Sequence, residues 1–479
     1  MKKTDTKFSG PELCALSARD AVSLLKTRKV KVAELIDAVE QRCSQVEPAV
    51  NAMPTTCFER ARAQSRHLPE AAYDGTGLAG LPVGIKDLNN VAGVRTTFGT
   101  PALSDNIPAQ SDPVVQRLEE RGGIVVGKTN TPEMGAGANT FNAVFGRTRN
   151  PWDTSRNAGG SSGGAAVSLI TGETWLSHGS DLAGSLRTPA AYCGVVGLRP
   201  SPGRVGAGAG ANQFGTEGVS GPMARDVADC ALFLDAMAGF DPFDPISFPA
   251  PENSFLSAVD AASPNVKIAY SSDLNGFTHV SREMDGYMRA ALDKLENAGA
   301  YVGEACPELP HLDKTYRVLR AMLWAAGPGR APDAIQNGFK ATLADNIQYG
   351  RELSIDDVYD AQINRSTIFR NMMAFLGDYD VLACPVVGLM PGPVEQEYPT
   401  EIDGVPLDDY IEWLKLSYLS TTAALPSISV PVGFSDDNMP VGIQLIGRHR
   451  DEAGLLQVAR AVEMACGEIG GPIDPIVRH

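Results

Sequence analysis

Two glycine-rich clusters carry the serines that could do chemistry in this chain. Residues 159–164 read Gly-Gly-Ser-Ser-Gly-Gly, and residues 180–187 read Ser-Asp-Leu-Ala-Gly-Ser-Leu-Arg. Glycine lacks a Cβ, so backbone N–H groups can approach a reacting atom closely. A serine hydroxyl set among such donors can attack an acyl carbon while the amides stabilise the oxyanion. The pattern predicts acyl transfer, with Ser161 and Ser185, which lie 24 positions apart, as the candidate serines.

A candidate base lies upstream of both clusters, where the apolar run 81–85 ends on Lys86. A free lysine has a pKa of ~10.4, but burial in a dry site lowers that pKa and leaves a neutral amine that accepts protons. A second serine can then relay the proton between the lysine and the nucleophile. Taken alone, either glycine cluster is typical of a turn that serves packing. A lone lysine at the end of a strand is typical of a residue in a salt bridge. Together they favour a serine hydrolase whose base is lysine.

Three other motif matches are interpreted as accidental. Residues 122–129 satisfy the P-loop pattern, but a predicted helix precedes them where that motif needs a strand, and Asn-Thr-Pro follows. Residues 160–164 fit G-x-S-x-G, which needs an acid and then a histidine downstream. Residues 23–26 fit S-x-x-K inside a predicted amphipathic helix, where both side chains face solvent. The downstream histidines have no distinctive local context: His279, His311, His449 and His479.

Composition limits the class of protein. The chain has 479 residues and a net charge of −16, so a nucleic-acid backbone is a poor partner. No run approaches the ~18 apolar residues of a membrane span, and no apolar segment follows the N-terminus as in a signal peptide. The eight cysteines are scattered, and no histidines are spaced as metal ligands. We therefore expect reduced thiols, no metal or other cofactor, no membrane partner and a cytoplasmic protein.

Hydrophobic periodicity predicts an α/β fold with a single large domain. Strands that alternate with helices are typical of a central twisted, mixed β-sheet covered by helices on both faces. Residues 307–426 are rich in proline and the least regular, which is more typical of a rim than of a second core. The predicted strands are 81–85, 124–126, 266–270, 381–383 (stopped by Pro385), 427–432 and 441–446. The predicted helices are 17–28, 32–46 (ended by Pro48), 113–122, 165–170, 284–297 and 451–463.

With these residues in view, the chain resembles the amidase signature hydrolases over nearly its whole length. The central block is specific, because the combination of this lysine with these serines at this spacing is peculiar to that family. The resemblance implies one amidase domain, 1–479, with N-terminal helices in 1–70, a signature core in 71–220 and a divergent substrate rim in 307–426. The matching segments are 84–87, 127–134, 150–153, 159–164, 180–187, 189–199, 430–434 and 440–448.

The resemblance also implies a role for each residue of the site. Lys86 is implied as the base, Ser161 as a bridging serine in a cis peptide, and Ser185 as the nucleophile that becomes the acyl-enzyme. Three groups of supporting residues are implied as well. They are the oxyanion-hole amides of Leu182, Ala183, Gly184 and Ser185, the loop-fixing residues Ser162, Asp181 and Arg187, and the substrate contact Gly135.

Two residues of the second cluster depart from the family pattern. Ala183 replaces the first of two glycines that usually precede the nucleophile, and Leu182 replaces a threonine. The Ala183 N–H remains, so we interpret the change as a subgroup character that leaves the oxyanion hole intact. Together with the divergent region 307–426, Ala183 favours a stand-alone amidase.

Three functions stay open at this point. The favoured one is hydrolysis of a small linear amide, either a carboxamide or an aryl or alkyl amide, and homodimers are common among such relatives. The second is the glutaminase-type subunit of a tRNA-dependent amidotransferase. The third is a non-catalytic binding protein, against which the intact Lys86, Ser161 and Ser185 argue. Aromatic residues of the divergent region are candidates for a substrate pocket or for the core: Trp324, Tyr349, Tyr410, Trp413 and Tyr418.

Overall fold

Helices and strands alternate along the chain, as the hydrophobic periodicity predicts. The computed structural model describes residues 7–207, 212–467 and 469–478. The helices of this part are α1 (Glu12–Ala15), α2 (Ala18–Lys26), α3 (Val32–Val50), α4 (Phe58–Gln64), α5 (Pro113–Glu120), α6 (Gly163–Ile170), α7 (Arg187–Cys193), α8 (Val227–Met237), α9 (Phe255–Asp260), α10 (Arg282–Ala298), α11 (Leu312–Ala326), α12 (Asp333–Gln336), α13 (Ala341–Glu352), α14 (Ile355–Phe375), α15 (Tyr418–Thr422) and α16 (Glu452–Cys466). Short 3-10 segments occur at Glu70–Ala72, Pro101–Leu103, Glu133–Gly135, Pro328–Arg330 and Glu412–Ser417.

Within the same described ranges, the strands build one large mixed sheet and three small ribbons. They are β1 (Thr55–Thr56), β2 (Pro82–Lys86), β3 (Ile124–Thr129), β4 (Phe141–Asn142), β5 (Gly146–Arg147), β6 (Arg149–Asn150), β7 (Asp153–Asn157), β8 (Leu176–Asp181), β9 (Val196–Arg199), β10 (Val219–Ala224), β11 (Lys267–Tyr270), β12 (Tyr301–Glu304), β13 (Val381–Pro385), β14 (Glu401–Ile402), β15 (Val405–Pro406), β16 (Ser427–Phe434) and β17 (Pro440–Ile446). The large sheet has 11 strands in the order β1-β3-β2-β8-β10-β9-β16-β17-β13-β11-β12. The predicted single α/β domain with a mixed central sheet is confirmed.

The sheet positions the candidate site because β2 and β8 are parallel neighbours. Ile85 pairs with His178, so the carboxyl ends of both strands lie at the same sheet edge. β2 and β3 are also parallel, and all residues of both strands are buried. A run of buried apolar residues is typical of parallel strands covered on both faces. Lys86 and Asp181, the last residues of β2 and β8, are thereby carried to the same edge.

The helix α6 packs closely against this part of the sheet. All eight of its residues are buried, and most of them are small or apolar. A Cβ on Gly164 would lie 2.3 Å from the amide nitrogen of Asn130 and 2.4 Å from the carbonyl oxygen of Ala52. Only glycine permits this approach, which brings the N-terminus of α6 and the serines before it against the ends of β2 and β8.

The structure corrects the sequence prediction at two prolines and in one region. Pro48 lies inside α3, and the helix ends at Asn51, whose φ is 50°. Proline is tolerated at this position because its fixed φ suits a helix and its missing N–H costs only one hydrogen bond, in the last turn. Pro385 is the last residue of β13 and pairs with Ile443 instead of stopping the strand before it. The region 307–426 contains five helices, α11 to α15. The hydrophobic spacing is weak in α14, which buries only Ala361, Ile368 and Met372 of its 21 residues, but not in α11, which buries eight of its 15.

Two chain-wide expectations concern cysteines and membranes. The eight cysteines are all free, and five of them are buried. The described residues contain no helix with both the length and the apolar character that a bilayer crossing requires. The subdivision of the domain into N-terminal helices, signature core and substrate rim stays a prediction.

Candidate active site

Lys86 lies in the centre of a group of hydroxyls at the edge of the sheet. Its Nζ donates hydrogen bonds to Ser161 Oγ at 2.7 Å, to Ser162 Oγ at 2.8 Å and to Ser180 Oγ at 3.1 Å. The side chain is completely buried. Burial lowers its pKa to about 7, although the negative charge of Asp181 acts in the opposite direction. A substantial fraction of Lys86 is therefore neutral near pH 7, with a lone pair that can accept a proton from Ser161.

The first serine cluster lies directly before α6. Ser162 is the residue at the N-terminus of that helix, and the peptide bond between Gly160 and Ser161 is cis, as the resemblance implies. The amide N–H of Ser162 donates to the carbonyl oxygen of Ser185 at 3.1 Å. This bond fastens the first cluster to the second, so Ser161 and Ser185 are held at the same end of the sheet.

The second cluster forms the loop between β8 and α7, which Asp181 organises. Its carboxylate accepts hydrogen bonds from the amides of Gly184 at 3.1 Å and Leu186 at 3.0 Å, and from Arg187 Nη2 at 2.8 Å. Burial raises the pKa of Asp181, but Arg187 and Arg199 more than offset this and hold the pKa well below its usual value. Asp181 is therefore ionised, and its carboxylate fixes the backbone of the loop.

Gly184 has a specific reason to be glycine. Its φ of +89° lies in the left-handed region, and a Cβ there would lie 2.3 Å from Ser417 Oγ and 2.9 Å from Thr188 Oγ1. Its amide, however, is engaged by Asp181 Oδ1 and is not free for an oxyanion. The oxyanion-hole role of Leu182, Ala183, Gly184 and Ser185 stays a prediction, in which Gly184 is the amide that already has a partner. Within the described residues, the loop amides without an acceptor are those of Leu182, Ala183 and Ser185.

Both candidate serines open on one cavity of about 520 Å³. Ser185 is 8% exposed, enough for its hydroxyl to be reached from this cavity. Gly135 also lines it, and a Cβ there would lie 2.7 Å from Leu88 Cδ1 and 3.8 Å from Ser161 Oγ. The lining is mainly apolar and includes Leu88, Phe98, Met134, Leu182, Leu323 and Trp324. A larger cavity of about 740 Å³ elsewhere on the molecule contains none of the predicted site residues.

Only one of the five candidate aromatic residues reaches this cavity. Trp324, on α11, lines it. Tyr410 is buried and accepts a hydrogen bond from Arg320 Nη2, and Tyr418 stacks on Tyr316 with ring centres 3.6 Å apart. Tyr349 is 42% exposed, and Trp413 lines a separate small cavity of about 170 Å³. The core interpretation therefore applies to Tyr410 and Tyr418, and also to Trp413, which is buried in the same hydrophobic cluster as Tyr418.

Lys128, the lysine of the P-loop match, has a structural role. Lys128 lies in β3, is buried, and pairs with Asp87 at 3.1 Å. Its Nζ also donates to the carbonyl oxygen of Asn89 at 2.7 Å and to Thr96 Oγ1 at 2.8 Å. These bonds engage the Lys128 amine with three acceptors of the protein and fix the turn that follows Lys86.

The other two rejected motifs are also accounted for. Ser23 and Lys26 lie in α2, where Lys26 Nζ donates to the carbonyl oxygen of Gly75. Across the described ranges, no histidine lines the cavity of Ser161 and Ser185. His449 contacts the carbonyl oxygen of Ala424 instead, and His479 lies outside the described residues.

Three residues of the site were not predicted from the sequence. Ser180 belongs to the second cluster and hydrogen-bonds Lys86, so its position beside Asp181 was an available signal. Arg199 ends a matching segment, and its Nη1 donates to the carbonyl oxygen of Asp181 at 2.7 Å. Thr421 donates to the carbonyl oxygen of Leu182 at 2.8 Å from more than 200 residues away, and no sequence pattern indicates it.

The fold and the buried lysine–serine arrangement define the class of protein, and comparison with known proteins agrees. A family model described as Amidase matches residues 34–456. The chain belongs to the amidase signature family, whose members are hydrolases of carbon–nitrogen bonds.

Three relatives illustrate the range of this family. An acylamidase of Rhodococcus erythropolis is 35% identical, covering 94% of this chain and 95% of the relative. A glutamyl-tRNA(Gln) amidotransferase subunit of Anaeromyxobacter dehalogenans is 32% identical, covering 97% and 99%. The crystal structure of a bacterial aryl acylamidase of the amidase signature family superposes with a TM-score of 0.87 at 28% identity, covering 95% and 97%.

Proposed function

We propose that this chain is an amidase that hydrolyses small linear amides to a carboxylate and an amine or ammonia, through an acyl-enzyme on Ser185. One observation carries the proposal. The buried amine of Lys86 hydrogen-bonds Ser161, and Ser161 and Ser185 open on the same cavity. A base, a relay and a nucleophile are the groups that amide hydrolysis by a serine requires.

The proposed reaction begins with proton transfer. Neutral Lys86 draws the proton of Ser161, and Ser161 draws the proton of Ser185 as Ser185 Oγ attacks the amide carbonyl carbon. The reverse relay protonates the nitrogen of the leaving amine, and water then hydrolyses the ester. Among the described residues the hydroxyls of Ser161 and Ser185 share no hydrogen bond, and catalytic bonds of this kind often tighten only in the substrate complex.

The cavity lining supports a neutral substrate with an apolar acyl or aryl group. Of the described residues that line it, none is lysine or arginine, and its charged side chains are Asp181 and Asp244. Both carboxylates are already bound, Asp181 by Arg187 and Asp244 by the amides of Ala207 and Ile246. Burying a substrate charge without a partner is costly, so uncharged groups suit this cavity better.

The alternative is the glutaminase subunit of a tRNA-dependent amidotransferase. It is favoured by relatives of that name, which are 32–34% identical over nearly the whole chain. Glutamine carries both a carboxylate and an ammonium group. Binding them in the cavity would need a cation that its described lining lacks. The two functions therefore differ in the substrate that the isolated chain accepts.

A panel of amides distinguishes the two functions. We expect the purified chain to cleave neutral aryl or alkyl amides with kcat/KM at least about 100-fold above that for glutamine, since a buried unpaired charge costs several kcal/mol. Release of the amine is measured with the acyl and amine sides varied separately, and release of ammonia is measured for glutamine. Preferential hydrolysis of glutamine by the isolated chain would favour the amidotransferase alternative.

The pKa of Lys86 predicts how activity depends on pH. Lys86 accepts a proton only when it is neutral, and its pKa is about 7. Below pH 7 the neutral fraction falls about tenfold per pH unit, so kcat/KM should rise with pH and level off above about pH 8. The measurement is kcat/KM for an amide that does not titrate between pH 5 and about 9. A constant rate over this range, or a rise only near the pKa of a free lysine, would contradict the proposed base.

A further inference from the structure

The peptide unit that joins Leu182 to Ala183 is held by a side chain from another part of the chain. Thr421 Oγ1 donates to the carbonyl oxygen of Leu182 at 2.8 Å. Thr421 lies on α15 and is buried, and it does not line the cavity of Ser185, whereas Leu182 does. The carbonyl of Leu182 is therefore bound from inside the protein.

Because a trans peptide unit is planar, the direction of its C=O group also fixes the direction of its N–H group. Its C=O and the N–H of the next residue point in opposite directions. The one cis bond among the described residues is Gly160–Ser161, so the unit at Leu182–Ala183 is trans. Because Thr421 holds the carbonyl oxygen of Leu182, the N–H of Ala183 points away from Thr421. This N–H has no acceptor within the described part of the chain.

The two other free amides follow the same pattern. Arg199 Nη1 binds the carbonyl oxygen of Asp181 at 2.7 Å, in the unit that ends in the N–H of Leu182. The amide of Thr188 binds the carbonyl oxygen of Gly184 at 2.6 Å, in the unit that ends in the N–H of Ser185. In these three units the carbonyl is held and the following amide has no acceptor, whereas the Ser185–Leu186 unit is bound at both ends, by the Ser162 amide and by Asp181 Oδ2.

One unit between these three has the opposite orientation. It joins Ala183 to Gly184, and its N–H donates to Asp181 Oδ1 at 3.1 Å. No described donor holds the carbonyl oxygen of Ala183. The direction of each amide in the loop is therefore set by the partner that its own peptide unit finds in the surrounding protein.

We propose that Thr421 is a positioning residue for the oxyanion hole, which it serves by aiming the N–H of Ala183 at the carbonyl oxygen under attack. This role rests on the proposed function, because it assumes attack by Ser185. The segment around Thr421 is itself tied to the loop, since Arg187 Nη1 donates to Ser420 Oγ at 2.8 Å. Helix α15, far outside the serine clusters in sequence, thereby sets the direction of a catalytic amide.

Thr421 offers a cleaner test than Arg199 or the Thr188 amide, which bind the other two carbonyl oxygens of the loop. Arg199 also binds the carboxylate of Asp181 and the carbonyl oxygen of Glu217, and the Thr188 donor is a backbone amide. Thr421→Val keeps the shape of the side chain and removes its donor, and Thr421→Ser keeps the donor. Thr422→Val is the matched control, because Thr422 is the next residue on α15, is equally buried and has no partner for its hydroxyl.

The experiment measures how fast an alkyl fluorophosphonate labels Ser185. Ser185 Oγ forms a bond to phosphorus as the P–F bond breaks, fluoride leaves, and the serine proton passes to Ser161. Negative charge gathers on the phosphonyl oxygen in the transition state, so the rate reports on the oxyanion hole without a known amide substrate. The same variants are then compared in kcat and KM for the best amide of the panel.

Thr421→Val should slow labelling about 10-fold and lower kcat by a similar factor, with KM changed by less than about twofold. The loss is smaller than the ~10²–10³-fold cost of removing an oxyanion donor outright, because the N–H of Ala183 is misdirected and not lost. Thr421→Ser should retain most of the rate, and Thr422→Val should equal the wild type.

Three results would overturn the role of Thr421. They are labelling of Thr421→Val within about twofold of the wild type, an equal loss in Thr421→Ser, or an equal loss in Thr422→Val. Failure of the proposed amide hydrolysis would be seen separately. The wild type would then cleave no amide of the panel although fluorophosphonate labels Ser185, and the labelling rates of the variants would still decide the role of Thr421.

Discussion

Ser185→Ala should abolish amide hydrolysis, lowering kcat by at least about 10⁴-fold. The hydroxyl is the proposed nucleophile, and no other serine of the loop could replace it next to the free amides of Leu182, Ala183 and Ser185 itself. The fold should be unaffected, because Ser185 is partly accessible from the cavity and its hydroxyl has no hydrogen bond to the described protein. Steady-state rates and thermal unfolding of the variant check both expectations.

A matched control for this variant lies on the strand that leads into the loop. Ser177 is buried on β8, and its hydroxyl has no partner, so Ser177→Ala should keep kcat within about twofold of the wild type. Ser185→Ala that retained full activity after purification would remove the proposed nucleophile. Equal losses in both variants would instead indicate damage to β8.

Lys86→Ala should be nearly as severe, with a loss of at least about 10³-fold in kcat/KM for amides. Without the amine, no base accepts the proton of Ser161, and no acid returns one to the leaving nitrogen. An amine leaves poorly unless it is protonated, so an ester with the same acyl group should lose less. The comparison of amide and ester rates in one variant therefore separates the relay from a general loss of structure.

Lys26→Ala is the control for this second prediction. Lys26 occupies the lysine position of the rejected S-x-x-K match and lies on α2, so its removal should leave amide hydrolysis unchanged. Activity in Lys86→Ala comparable with that of the wild type would require another base near Ser161. Loss of activity in Lys26→Ala would revive the rejected motif.

The grouping of Lys86 with the two serine clusters could be predicted from the sequence because local features determine it. Lys86 follows an apolar run that becomes β2, and the serine clusters contain the glycines that allow α6 and the loop after β8 to pack closely. These features are determined by residues that lie close together in the sequence. The parallel pairing of β2 with β8 then brings the two segments together, as expected for strands that alternate with helices.

The parts that sequence reasoning missed depend on contacts between distant segments. The hydrogen bond from the Gly184 amide to Asp181 depends on how the loop turns, and the residue types of the cluster do not indicate it. Thr421 reaches Leu182 from α15, across more than 200 residues. Helix α14 was missed because it buries few of its residues, which leaves a weak hydrophobic period, whereas α11 has a clear buried face and could have been predicted.

The central claim is that Ser185 carries the acyl group during turnover. The most direct test is mass spectrometry of the protein quenched with acid while it hydrolyses a slow amide, followed by peptide mapping. We expect a mass increase equal to the acyl group on the peptide that contains Ser185, and no such adduct in Ser185→Ala. An acyl adduct on Ser161 or Ser162, or turnover of the same amide by Ser185→Ala, would contradict this claim.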